Sequence, residues 1–216
     1  MPAKRLAVLV VLVLTLVSIA GAQNSRYPEE VSDLSLTAGR SFVSTQTVVS
    51  QVSGDGNPSL HFGKPASFAF DYSHLLKTHK IFGLHAELPV AIDPRMNLNY
   101  FNNVIPKSIG ALFMTPSLRV NIFSSDSVSP WVSAGGGYGR FWESSTLVWG
   151  GKNTGPTSTN TGVIQFGGGL DAWFWHRWGA RLEVRDFYSG VPDLNVSTGR
   201  SRQHNYYVGA GVVHRF

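Results

Sequence analysis

Hydrophobic and polar residues alternate along this chain in short runs. Near its end, Tyr206, Val208, Ala210, Val212 and Phe216 share one parity, interrupted by His214, while Asn205, Tyr207, Gly209, Gly211 and Arg215 share the other. A period of two places successive side chains on opposite faces of a strand. Seven further segments carry comparable alternation. The first, 34–44, is the least regular, because Arg40 falls on the parity of Leu34, Leu36 and Phe42; a bulge there would restore the faces. In 65–76, Phe68, Phe70 and Tyr72 oppose Ala69, Asp71 and Ser73, and in 80–90, Phe82, Leu84, Ala86 and Leu88 oppose Gly83, His85 and Glu87. In 108–123, Leu112, Met114, Leu118, Val120 and Ile122 oppose Thr115, Ser117, Arg119 and Asn121, with Pro116 inside the run as a second candidate bulge. The remaining strands are expected at 130–142, 161–174, 178–188 and 204–216.

The connections have a rhythm of their own. Segments 45–64, 91–107, 143–160 and 189–203 are long and rich in Gly, Ser, Thr and Asn, and they alternate with short turns at 77–80, 124–129 and 175–177. Eight strands joined alternately by long loops and short turns make an antiparallel up-and-down barrel of the transmembrane kind. Aromatic residues near strand ends (Trp131, Phe141, Trp142, Trp173, Trp178, Tyr188, Tyr206 and Phe216) read as interfacial girdles.

The N-terminus adds a compartment. Lys4 and Arg5 precede an apolar run, 6–17, and Ala20-Gly21-Ala22 offers a small-x-small cleavage site. Residues 1–22 are therefore expected to be a signal peptide, 23–33 a periplasmic lead-in and 34–216 the barrel. Composition changes the picture little. Hydrophobic residues make up 43% and charged residues 14%, a balance that membrane barrels share with soluble proteins because only alternate residues meet lipid. The absence of cysteine excludes disulfides and thiolate chemistry. A net charge of +5, carried by scattered single residues, gives no nucleic-acid footprint.

A soluble barrel would turn the apolar face inward. Uninterrupted rows such as Phe82-Leu84-Ala86-Leu88, together with few charges, favour lipid outside and polar residues inside. The lumen is then expected to hold Asp71, His85, Glu87, Arg119, Asp171, Arg181, Glu183 and Arg185. These should pair with one another and lie over glycines of the opposite wall, drawn from Gly135, Gly137, Gly139, Gly167, Gly169, Gly209 and Gly211. The result would be a polar plug.

The strand rhythm, the segments FGGGLDAWFW and RWGARLEVRDFY around a short turn, and the terminal VVHRF resemble the outer-membrane β-barrel domain of the OmpA/OmpX-like superfamily. The resemblance implies residence in the bacterial outer membrane among lipid and lipopolysaccharide. It also implies delivery by the barrel assembly machinery, with Tyr206, Val208, Val212 and Phe216 as the assembly signal. OmpA-type proteins often carry a peptidoglycan-binding domain; here the chain stops at its last strand, so that function is not expected.

Three function classes remain. The first is a non-enzymatic scaffold displaying four extracellular loops to a partner the loops do not identify. The second is a small channel or a carrier of hydrophobic molecules, whose side opening would need a kinked strand at Pro116. The third is an outer-leaflet lipid hydrolase. Lipid A deacylases are eight-stranded barrels with a Ser–His–acid arrangement, but their His-x-Ser pattern is absent: Ser59 and His61 stand in the reverse order, and His85 with Glu87 lacks a nearby serine. The seven histidines are dispersed, so neither a catalytic site nor a metal or cofactor site is expected.

Overall fold

The computed structural model describes residues 31–49, 58–122, 127–174 and 177–216. The expected signal peptide and residues 23–30 of the lead-in lie outside the described residues, as do Trp175 and His176. The strands are β1 (Ser32–Val43), β2 (Gln46–Thr47), β3 (Ser59–Phe62), β4 (Ala66–His79), β5 (Phe82–Asn99), β6 (Ser108–Met114), β7 (Ser117–Ile122), β8 (Val128–Glu143), β9 (Ser158–Trp173), β10 (Trp178–Gly190) and β11 (Arg202–Arg215). β6 and β7 form one wall between β5 and β8. With β1 paired to both β4 and β11, eight antiparallel walls close into a ring. Closure is what lipid demands, because an open edge would leave backbone groups without partners in hydrocarbon.

The register fixes the slant. Starting at Asp33 and following partners through Ser73, Glu87, Ser117, Gly135, Gln165, Phe187 and Asn205, the path returns to β1 at Val43, ten residues along (33 to 43). Such a stagger tilts the strands of a small barrel and sets its bore. Outside, Leu36, Leu118, Val132, Phe166, Leu182 and Val184 are each more than half exposed, forming the belt that faces acyl chains. β5, β8 and β9 run to 18, 16 and 16 residues, more than the ~9–11 needed to cross a bilayer. Their surplus stands above the belt and carries the loops.

Several sequence expectations change. β1 has no bulge: its register is unbroken on both sides, and Arg40 simply points outward with the apolar row. Nor does Pro116 cause one. Glu87 pairs with Ser117 and Val90 with Met114, so the count is continuous past it, and the β8 side is equally regular. Pro116 keeps its carbonyl in the ladder, accepting from Gly136 N at 3.2 Å, and Pro89 O accepts from Thr115 N at 3.2 Å. What the two prolines remove is one donor from each of two adjacent ladders at the same height. Real register shifts fall at Leu75/Lys77 and Asp93/Met96, the second beside Pro94. The 77–80 turn shrinks to Lys80 and Ile81, with Lys80 at φ 52°. The expected loop 91–107 shortens because β5 continues to Asn99, and loop one contains the small pair β2–β3. The lead-in boundary also moves, since Ser32 and Asp33 are already β1.

Gly39 and Gly211 allow two strands to pinch together. A Cβ on Gly211 would lie 2.0 Å from Leu36 O, and one on Gly39 1.9 Å from Val208 O. Gly39→Val or Gly211→Val is therefore expected to destabilise the barrel by about 1–3 kcal/mol, read as a lower urea midpoint for loss of the heat-dependent gel shift. Gly162→Val, where a Cβ meets nothing within 4 Å, should leave the midpoint in place.

Candidate functional site

Alternation turns every second residue into the bore, and the bore is layered. On β10, from the turn end upward, the inward residues are Arg181, Glu183, Arg185, Phe187 and Ser189, all buried. Charge therefore fills the half nearer the turns and an apolar layer lies above it.

The hub of the charged layer is Asp71 on β4. Its Oδ2 stands 2.6 Å from Arg181 Nη1, 3.3 Å from Arg185 Nη2 and 3.6 Å from Arg119 Nη1. Arg181 also grips Asp171 with two N–H groups, at 2.7 and 2.9 Å, and donates to Ser35 Oγ at 2.9 Å. Arg185 holds Glu87 at 2.6 Å and Glu183 at 2.7 Å. Arg119 reaches Asp33 at 2.8 Å, and Asp33 in turn meets Arg215 at 3.1 Å. Thr37 and Tyr207 join the network through Glu183 and each other. Bidentate guanidinium pairing of this sort suits a buried site because it satisfies several donors per charge.

Trp131 organises the arginines. Its ring lies 5.0 Å from the Arg185 guanidinium, 5.2 Å from that of Arg181 and 5.6 Å from that of Arg119, within range of the cation–π attraction. Its Nε1 donates to Asp171 Oδ1 at 3.3 Å. Room for the indole comes from Gly169, its register partner, where a Cβ would sit 2.5 Å from the ring. Arg215 stacks on Trp173 at 3.9 Å in the same manner.

The eight expected lumen residues all face the bore. His85 lies opposite Arg119 in register, and its Nδ1 finds no hydrogen-bond partner among the described residues; Asp71 Oδ1, Glu87 Oε2 and Thr115 Oγ1 are in the same position. The glycine expectation needs correction. Large groups lie beside glycines of the same or the next strand, not across the bore. Trp131 abuts Gly169, the Arg185 stem Gly167, Phe113 and Val163 Gly139, and Tyr207 Gly209, while Gly135, Gly137 and Gly211 face neighbouring backbone. In a bore this narrow each side chain lies along its own wall. The girdle reading also fails for Trp131, Phe141 and Trp173, which point inward, as their parity with Ser129, Ser133 and Asp171 allows. Sequence reading missed Asp33, Trp131 and Arg215 as members of the charged layer. Asp33 shares the parity of Ser35 and Thr37, and was hidden only by the misplaced strand start.

A second correction concerns the plug, which is polar in one half only. Above the charges, Phe113 stacks on Phe187 at 4.9 Å and meets Phe141 edge-on at 5.7 Å, among Ala69, Ala91, Ala111 and Val163. Higher still, Ser41–Asp93 and Gln46–Gln203–Asn205 bonds cross the mouth. The loops then close over a separate apolar core that includes Leu60, Met96, Leu98, Ile105 and Leu194. Asn103 ties the second loop to the third through Gly150 O and Trp149 N, and Asn195 ties the fourth to both.

The residues weighed for catalysis have other neighbours. His61 lies near Thr45 at 3.4 Å, and Glu87 is committed to Arg185. Among the described residues no group of three or more His, Asp or Glu could hold a metal.

No protein-family model matches the chain, and no curated protein matches it in sequence. Solved structures do match. The outer membrane protein OprG from Pseudomonas aeruginosa covers 86% of this chain and 96% of its own, at TM-score 0.55 and 10% identity. The chain has the fold of the small outer-membrane β-barrels. Neisserial surface protein A (TM-score 0.48, 12% identity, 86% of this chain and 97% of that one) is also similar. So is Ail, the attachment invasion locus protein of Yersinia pestis (0.45, 14%, 86% and 99%). At these identities the likeness is one of fold. The fold and the apolar belt are those of a protein of the bacterial outer membrane.

Removing the hub should cost more than removing a surface charge. Asp71→Ala leaves Arg181 and Arg185 short of a buried counter-charge, and a loss of about 3–5 kcal/mol is expected. Lys80→Gln, at an exposed turn, should stay within about 0.5 kcal/mol. Urea titration of the folded barrel in detergent measures both.

Proposed function

We propose that this barrel is a non-enzymatic scaffold of the outer membrane, structural in the envelope or binding at its surface through its four braided loops. The observation that carries this reading is the continuous ion-pair network across the bore, from Arg215 and Asp33 to Glu87 and Glu183. Ions crossing the bore would have to displace paired, desolvated charges. Delivery by the barrel assembly machinery fits the terminal strand, whose Tyr206, Val208, Val212 and Phe216 face outward. The loops supply the working surface. A rigid base with exposed Phe101 and Trp149 at its tip suits a partner that meets pre-ordered side chains.

A second reading, carriage of apolar molecules, draws on one observation. The two missing ladder donors at Pro89 and Pro116 lie in the wall just below the aromatic layer, beside Gly135, Gly136 and Gly137. That makes a weak seam between lipid and an apolar part of the bore.

Planar-bilayer recording of the refolded barrel tests the scaffold reading. The wild type is expected to be silent, and Arg185→Ala to open measurable conductance by leaving Glu87 and Glu183 without their partner; steady wild-type conductance would sink the plug. Incubation with fluorescently labelled lipid A should release no fatty acid. Uptake of an apolar dye by cells carrying the protein should not change in a Pro89→Ala/Pro116→Ala double variant. Slower uptake after the seam is given back its donors would make carriage the function.

A further inference from the structure

Arg40 is the residue that spoiled the apolar row of the first strand, and neither the lumen nor the loop platform accounts for it. It points outward from β1 and is exposed, at the loop end of the belt. Its Nη1 donates to Lys64 O at 2.8 Å. Lys64 in turn folds its Nζ over the Phe42 ring, 5.5 Å from the centroid. These two contacts hold two cations beside each other on one outward face, with Phe42 between them and the start of β11.

The same wall continues sideways. Phe42 pairs in register with Tyr206, and Tyr206 with Asp186. Asp186 is the one acid on this outward row, and it is engaged by His204 Nδ1 at 2.7 Å. His204 stacks on Tyr206 and tilts against Tyr188, at centroid distances of 5.6 and 4.7 Å. Arg202 lies four residues nearer the loops than Tyr206, paired with Gly190, its guanidinium 5.6 Å from the Tyr188 ring and its Nη1 donating to Gly162 O at 3.4 Å. Among the described residues no carboxylate pairs with Arg40, Lys64 or Arg202. Directly below lie exposed acyl-facing rows, Leu34 and Leu36 on β1, Val208 and Val212 on β11, Leu182 and Val184 on β10.

From membrane centre to surface the wall therefore offers aliphatic rows, then flat aromatic rings, then unpaired cations held in place. A lipid with acyl chains, a sugar headgroup and phosphates presents the complementary sequence. Charges at the belt edge that merely reach for water would not need a backbone clasp or a ring beneath them, whereas clasped cations lose less freedom on meeting an anion. A phosphate accepts from both guanidinium and ammonium, and the rings give a sugar face a surface to lie on.

We propose that the outer wall formed by β10, β11, β1 and the approach to β4 is a docking site for a phosphorylated glycolipid of the outer leaflet, with Arg40 and Lys64 on its phosphate, Arg202 on a second anionic group, and Phe42, Tyr206 and Tyr188 against its sugars. The site makes the barrel an anchor for one ordered lipid at a fixed azimuth.

The proposal rests on the loop end facing outward. That is read separately: the chain has no cysteine of its own, so a Trp149→Cys variant in intact cells should react with an impermeant maleimide, and failure to label would remove the outer leaflet as the source. Binding is tested on the full chain, exported to the outer membrane of a Gram-negative host, purified in dodecyl maltoside and titrated with bisphosphorylated lipid A under native mass spectrometry. The wild type is expected to take up one lipid A. The Arg40→Gln/Lys64→Gln/Arg202→Gln variant, checked for its heat-dependent gel shift, should need at least ten times more lipid A for half-saturation. Lys77→Gln/Lys80→Gln, at the opposite end of the belt, should match wild type. Unchanged binding by the triple variant overturns the site, as does equal weakening by the control. Equal uptake of phosphatidylglycerol overturns the glycolipid assignment, and equal competition by inorganic phosphate overturns a lipid ligand.

Discussion

A chain that crosses hydrocarbon must satisfy its own backbone, and that requirement governs every other feature of this barrel. Hydrogen-bonded closure between β1 and β11 removes the last open edge. Closure with eight walls and a ten-residue stagger then fixes a bore too narrow for water-filled space and side chains together. The interior must be filled, and strand alternation dictates which residues do the filling. Pro89 and Pro116 are informative against this background. Each deletes a donor, yet neither shifts the register, because the surrounding ladders and the matching carbonyls hold the count.

Filling the bore with charge is costly unless every ion is paired and further hydrogen-bonded. The network around Asp71 meets the pairing part of that condition by sharing, while Asp71 Oδ1, Glu87 Oε2 and Arg119 Nη1 find no hydrogen-bond partner among the described residues. One carboxylate oxygen serves three arginines, Arg181 meets two acids, Arg185 three, Arg119 two acids and an amide, and one indole lies against three guanidiniums. The arrangement depends on tight shape as much as on charge, since Trp131 fits only where Gly169 leaves room. Above it the barrel changes strategy and packs Phe113, Phe141 and Phe187 as a soluble core would. A hydrophobic layer thus lies above a polar network in the same bore.

Outside, the same wall that satisfies lipid also varies around the circumference. Most outward rows are aliphatic up to an aromatic rim, but the sector holding Arg40, Lys64, His204 and Arg202 departs from that pattern. The loops above are joined through Asn103, Asn195 and a shared apolar core. The loop end of the barrel thus carries two ordered surfaces: a loop platform and one decorated sector of wall. Rigid elements place both, which is the condition for selective recognition.

How much of this was legible in the sequence follows from what a period of two can encode. The rhythm of long loops and short turns pointed to the closed all-β architecture, and alternation within the strands separated the inward set Asp71, His85, Glu87, Arg119, Asp171, Arg181, Glu183 and Arg185 from the outward apolar rows. Those are statements about one strand at a time. It was ambiguous wherever a residue type could serve either face: aromatic Trp131, Phe141 and Trp173 read equally well as girdle or as lumen, and Arg40 read as a register error. Long polar stretches read as loops even where pairing continued, as in β5 beyond Val90, because partners and not local composition kept that strand extended. Only the tertiary structure decided which charges meet, that Asp33 and Arg215 join them, that large groups lie beside glycines of neighbouring strands, and that the bore has an apolar upper storey. Each of these depends on stagger, and stagger is a property of the closed ring that no single strand contains.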